Sequence, residues 1–101
     1  MIVLKTWTFD LWLKKLDDLT AKAKNGARLR RIEVHGQLLG DFKSIGNGVI
    51  EFRFNCGPGY RVYATQMGDQ LLLLVGGDKS SQRFDVDRAT KLAVEWRACN
   101  E

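Results

Sequence analysis

This chain has one proline, one histidine and two cysteines, and each shortage closes off a class of explanation. The lone histidine, His35, excludes every metal site built on several histidines and argues against a histidine-centred triad. Cys56 and Cys99 lie far apart and share no metal-ligand spacing, so neither a metal nor another cofactor is expected. Two free thiols in a reducing compartment fit them better than a disulfide, and no neighbouring base makes Cys56 reactive. Internal repeats, linkers and low-complexity tracts are missing too. No window approaches the long uncharged apolar run of a membrane helix, and Met1-Ile2-Val3-Leu4-Lys5 lacks the pattern of a signal peptide. These absences lead to the expectation of a cytoplasmic protein with no membrane partner.

What the chain does contain suits one compact domain spanning 1–101. Its 101 residues are 45% apolar, with three Trp and five Phe, which is enough for a core without staples. The net charge is +4, but its distribution says more than its total. Between positions 14 and 31, Lys14, Lys15, Lys22, Lys24, Arg28, Arg30 and Arg31 face only Asp17 and Asp18, a local excess of five. Such a stretch suits phosphate backbones or an acidic partner, and equally suits a solvated helix face.

Hydrophobic period divides the chain into elements. Ile2-Val3-Leu4 reads as a short strand. Phe9, Trp12, Leu13, Leu16, Leu19 and Ala23 recur at helical spacing, with Thr6 or Thr8 as cap and Asp10 in the first turn. Asn25-Gly26 is expected to break this helix. A second, shorter one then runs through Leu29 and Ile32 to Gly36, giving a basic antiparallel hairpin with an apolar seam. Three meander strands follow: one around Ile50, Phe52 and Phe54, one from Tyr60 to Met67, and one from Gln70 to Val75. Turns at Cys56–Gly59 and Gly68-Asp69 connect them. The continuous apolar run Leu71–Val75 fits a central strand covered on both faces, and Gly76-Gly77 ends it. Asp85 is expected to cap a last helix with Val86, Ala89, Leu92, Ala93 and Trp96 on its apolar side. The class is α+β, in the order β-α-α-β-β-β-α, with an antiparallel meander sheet packed on the helical hairpin.

Alternation also sorts the polar residues. With Ile50, Phe52 and Phe54 in the core under the helices, Glu51 and Arg53 point to the outer face, and the next strand adds Arg61 and Tyr63. Lys79 leaves the end of the third strand nearby, followed by Ser80, Ser81, Gln82 and Arg83. This face suits RNA: arginines clamp phosphates, an exposed ring stacks on a base, and a carboxylate can take the proton of a 2′-hydroxyl. Alternation alone points first to an ordinary solvated face with Glu51–Arg53–Arg61 ion pairs.

A resemblance shifts that balance. Gly57-Pro58-Gly59-Tyr60-Arg61-Val62-Tyr63 and Leu74-Val75-Gly76-Gly77-Asp78-Lys79-Ser80-Ser81-Gln82 resemble the signature of addiction-module killer proteins. These are a phage-associated branch of the RelE/HigB/ParE toxin superfamily. Phe9 with Trp12-Leu13, Arg28-Leu29, Gly40-Asp41 with Lys43, and Asp85 through Ala89 extend the likeness over nearly the whole chain. The resemblance implies a RelE-like fold and a ribosome-dependent mRNA endonuclease that needs no metal and is neutralised by a helix-turn-helix antitoxin. It implies catalytic positions at Glu51 as general base, at Arg53 and Arg61 on the phosphate, and at Lys79 beside the leaving oxygen. Lys43, Tyr63, Arg83 and Phe84 are the implied RNA contacts. Phe84 stands where many relatives carry tyrosine or histidine; it can stack but cannot donate a proton. The partners implied are mRNA, the ribosome and the antitoxin, with the toxin either a monomer or in a toxin–antitoxin hetero-oligomer. Two other readings of the same fold remain open: a ParE-like poison of DNA gyrase, and an inactive module that only binds its partner.

Overall fold

The computed structural model describes residues 1–100. β1 (Ile2–Lys5) leads through Thr6 into α1 (Trp7–Lys15). The Thr6 hydroxyl accepts from the Phe9 amide at 3.0 Å and donates to the Leu74 carbonyl at 2.7 Å. One side chain thus caps the helix and ties its start to the sheet.

α1 does not run on to Asn25-Gly26. Leu16 is extended, and Asp18 starts α2 (Leu19–His35) by accepting from the Ala21 amide at 3.0 Å. Asn25 and Gly26 lie inside α2. The buried Asn25 donates to the Ala21 carbonyl one turn back at 2.9 Å, and Gly26 faces open space. An interior glycine costs only about 1 kcal/mol, which the Asp18 cap and the burial of Ala21 and Ile32 outweigh. α2 is therefore the longer helix, not the shorter. It ends at Gly36, whose left-handed backbone (φ 71°) lets its N–H reach the Ile32 carbonyl.

The meander has four strands rather than three: β2 (Phe42–Gly46), β3 (Val49–Phe54), β4 (Tyr60–Met67) and β5 (Gln70–Gly77). β1 joins β5 in parallel, giving the sheet order β1-β5-β4-β3-β2. β2 is a mostly exposed edge strand, so it carries little apolar alternation to announce it. The register fixes the two faces as alternation predicted. Ile50, Phe52 and Phe54 pair with Ala64, Val62 and Tyr60; Val49, Glu51 and Arg53 pair with Thr65, Tyr63 and Arg61.

The first face packs under α1 and α2, where Phe9 and Ile32 meet Phe52, Phe54, Val62, Leu71 and Leu73. The outer face of β3 and β4, though not that of β5, was expected to be open to solvent, and here the expectation fails. α3 (Gln82–Asn100) lies across it, bringing Ala89 and Ala93 onto Val49, Tyr63, Leu72, Leu74 and Val75. Small side chains on the helix allow this close approach. A register shift between Tyr63 and Ala64 sends Leu74 and Val75 both toward α3.

Gly76 and Gly77 do not terminate β5 but belong to it, and their lack of side chains has a use. Successive residues face opposite sides of a sheet. A Cβ on Gly76 would strike the Trp12 ring of α1, and one on Gly77 would strike Asp85 of α3. The glycine pair lets both helical layers close on the same strand end.

Asp85 is not the cap of the last helix. Asp78 caps a 3-10 turn (Lys79–Ser81) through a capping box with Ser81, and α3 follows directly. Asp85, a turn further on, is buried and accepts from the Ser81 hydroxyl. The α+β class and the predicted order of elements hold, with one strand added. No helix among the described residues is long and apolar enough to cross a membrane.

Candidate nucleic-acid interface

β3 and β4 bring Arg53 and Arg61 directly opposite one another, two like charges that repel unless something sits between them. Glu51 does. Its carboxylate is buried (1% exposed), and Oε1 accepts from Arg53 Nε at 3.1 Å and lies 3.7 Å from an Arg61 terminal nitrogen. Oε2 accepts from Gln82 Nε2 at 3.0 Å. The guanidiniums stay partly accessible, with side chains 33% exposed at Arg53 and 15% at Arg61. Arg61 Nε is buried with no hydrogen-bond partner among the described residues.

Both oxygens of Glu51, the position that the resemblance implies as general base, accept hydrogen bonds inside the protein, one from Arg53 and one from Gln82. Tyr63, expected to stack on a base, is fully buried beneath α3 (0% exposed), and its hydroxyl makes no hydrogen bond among the described residues. Burial, and then the nearby carboxylates of Glu51 and Asp85, push its phenol well above the ordinary tyrosine range. The alternation placed Tyr63 on the right face. It carried no sign that a helix covers that face.

The remaining expected positions surround the arginine pair unevenly. Lys43 pairs across from Glu51 on the edge strand β2 and is exposed. Lys79 opens the turn after β5 and packs beside Gly59, while Arg83 lies on the first turn of α3. With Ser80, Gln82, Val86 and Asp87 these two cations line a shallow hollow of about 510 Å³. Phe84 is exposed (58%) but stands apart from that hollow, 5.3 Å under the Arg88 guanidinium. A larger cleft of about 540 Å³ lies between α1 and α3 and is lined by Trp12, Tyr60, Asp18, Asp78 and Asp85. Three of its four carboxylates already serve the fold: Asp18 and Asp78 are caps, and Asp85 binds Ser81, while Asp17 also lines the cleft. Among the described residues no group of His, Cys, Asp and Glu side chains converges as a metal site.

A family model described as Phage derived protein Gp49-like matches residues 11–95, which takes in both helical layers and every residue of this site. The chain belongs to that family. It is also 48% identical over 91 residues to an uncharacterized protein of Haemophilus influenzae, covering 89% of this chain and 90% of that one. No solved structure matches it. In this Gp49-like chain the residue that sequence reasoning missed is Gln82, which holds the second oxygen of Glu51. Nothing in local periodicity marks it, since the contact joins positions separated by 31 along the chain.

Proposed function

We propose that this Gp49-like chain is the toxin of a type II toxin–antitoxin module, related to the RelE/HigB superfamily. It acts in the cytoplasm as an endoribonuclease on ribosome-bound mRNA and is silenced by a helix-turn-helix antitoxin. One observation carries the reading: Arg53 and Arg61 are held side by side, partly open to solvent at Arg53 and less so at Arg61, by a buried carboxylate. Such a pair takes a phosphodiester bidentately and stabilises the charge that grows on it as a 2′-hydroxyl attacks phosphorus. The hydroxyl gives its proton to water, and the P–O5′ bond breaks, the departing oxygen taking a proton from water. Lys79 and Arg83 extend the cationic rim toward the leaving oxygen and the flanking phosphates. The basic side chains of α2, on the opposite face of the sheet, serve docking to the ribosome or to an acidic antitoxin segment.

A second reading is favoured by the enclosure of Glu51, because both oxygens of the implied base are engaged. On that reading the chain is a ParE-like poison of DNA gyrase, or binds its partner, and cuts nothing. Induction in the absence of antitoxin separates the two. Arrested translation with cut messages supports the nuclease, and Arg61→Ala should then lower cleavage by about 100-fold or more. Intact messages alongside gyrase-trapped DNA breaks would overturn it.

A further inference from the structure

Gln82 is the first residue of α3, and the amide it turns toward the sheet meets the carboxylate that holds the arginines. From this geometry we infer that Gln82 is a positioning residue: acting through Glu51, it sets the orientation of the Arg53 guanidinium. The catalytic consequence rests on the nuclease reading above; the positioning itself does not.

Four features support it. The last torsion of a glutamate is broad and poorly fixed on its own. Arg53 engages only Oε1, so a carboxylate held there alone can swing; the Gln82 amide on Oε2, at 3.0 Å, fixes its plane. Arg53 makes this contact through Nε at 3.1 Å, which leaves both terminal nitrogens available to a phosphate. Fixing the carboxylate therefore fixes the direction of that fork.

Gln82 is also neutral. A lysine here would compete with the arginines for the charge of Glu51, whereas an amide donates a hydrogen bond and leaves that charge to them. Finally, Gln82 follows directly on the capped turn that carries Lys79, and Arg83 comes next in sequence. The same hydrogen bond thus joins the helix-borne cations to the strand-borne ones, so that the two groups keep a set spacing along an RNA backbone.

The test uses Gln82→Met, which keeps length and loses the donor, and Gln82→Glu, which sets a second carboxylate against the first. Arginine Nε–H resonances of the labelled full chain read the positioning directly, and the backbone amide spectrum shows that each variant is folded. We expect both variants to shift the Arg53 Nε–H signal and speed its exchange with water, with most amides unmoved. The exchanged pair Glu51→Gln with Gln82→Glu, which re-forms an amide–carboxylate bond, should recover part of the effect. On a ribosome–message substrate, kcat should fall about ten- to a hundredfold in Gln82→Met. An Arg53 signal unmoved in both single variants overturns the inference, whatever the chain does to RNA. A shifted signal with unchanged kcat overturns its catalytic half. A wild-type chain that leaves message uncut instead refutes the nuclease reading, and the arginine signals still decide the positioning.

Discussion

Glu51→Gln separates two roles for this carboxylate, because they differ in what the substitution does to stability. If Glu51 were a solvated general base, removing its charge would abolish chemistry and leave folding within about 0.5 kcal/mol of the parent, as for most surface changes. The structure places it at 1% exposure, with Arg53, Arg61 and Gln82 around it. The glutamine keeps the volume and one acceptor for Arg53. It gives up the charge that offsets two facing guanidiniums and sets an amide against the amide of Gln82. A hydrogen bond to a charged group contributes about 1.5–3 kcal/mol, and removing one partner of a fully buried pair costs about 3–5 kcal/mol. Arg53 remains one-third exposed, so water recovers part of that loss. The expected cost is about 2 kcal/mol. For a domain of this size that lowers Tm by roughly 8–16 °C. Thermal unfolding followed by circular dichroism measures it, and sulfate, which can lodge between the arginines, should restore more than chloride at equal ionic strength. A melting point within about 3 °C of the parent would refute the buried-anchor account and return Glu51 to the role of an exposed base.

Gly76→Ala should destabilise by about 1–3 kcal/mol through collision with the Trp12 ring. The same change should cost far less in a Trp12→Ala background; equal costs in both, read from urea unfolding, would show that the glycine serves backbone conformation instead. The chain has two tyrosines, and both phenols are raised: Tyr63 by burial and then by Glu51 and Asp85, Tyr60 by burial and then by Asp18. The unfolded chain ionises its tyrosines near pH ~10 while the folded one keeps them protonated, so stability is intact below that pH and falls as pH rises through it. Tyrosinate absorbance should therefore appear together with loss of ellipticity. Ionisation at an ordinary midpoint in a still-folded chain would contradict this placement.

The face assignment was legible because it rests on a local rule. A period of two from Val49 to Phe54 fixes which side each residue takes, and the register with β4 follows. The helix break was misread because Asn25-Gly26 looks like stronger punctuation than Leu16-Asp17-Asp18. Asp18 can satisfy a helix start, whereas Asn25, turned inward, donates to the Ala21 carbonyl and leaves its own buried Oδ1 without a partner among the described residues. β2 went unseen because an exposed edge strand needs no apolar face to form. These errors are local: the helix break leaves the sheet untouched, and β2 only extends it at one edge. The roof of α3 is different, since which face a helix covers depends on contacts far apart in sequence.

Even so, the signal for that roof was present. Leu72 and Leu74 both being apolar already requires a layer on the side that Glu51 and Tyr63 share. What hid the conclusion is that a glutamate is normally kept out of such a layer, since an unpaired buried carboxylate is prohibitively costly. Here its partners are Arg53, two residues along the same strand, and Arg61, diagonally placed on the next strand opposite Arg53. An apolar side chain at position 51 would pack against α3 at least as well, because replacing a buried ion pair by apolar groups is often neutral or stabilising. Stability alone therefore does not account for a carboxylate there. Holding two arginines together does: without an anion between them they repel, and with one they remain paired while the trio keeps a net positive charge toward solvent. The basic character of this chain thus has two parts of different kind. On α2, Lys24, Arg30 and Arg31 are exposed cations, whereas Arg28 lies over the Phe54 ring and donates to the Arg53 carbonyl; Arg53 and Arg61 are a pair fixed by Glu51, the pair that the proposed function assigns to a phosphate.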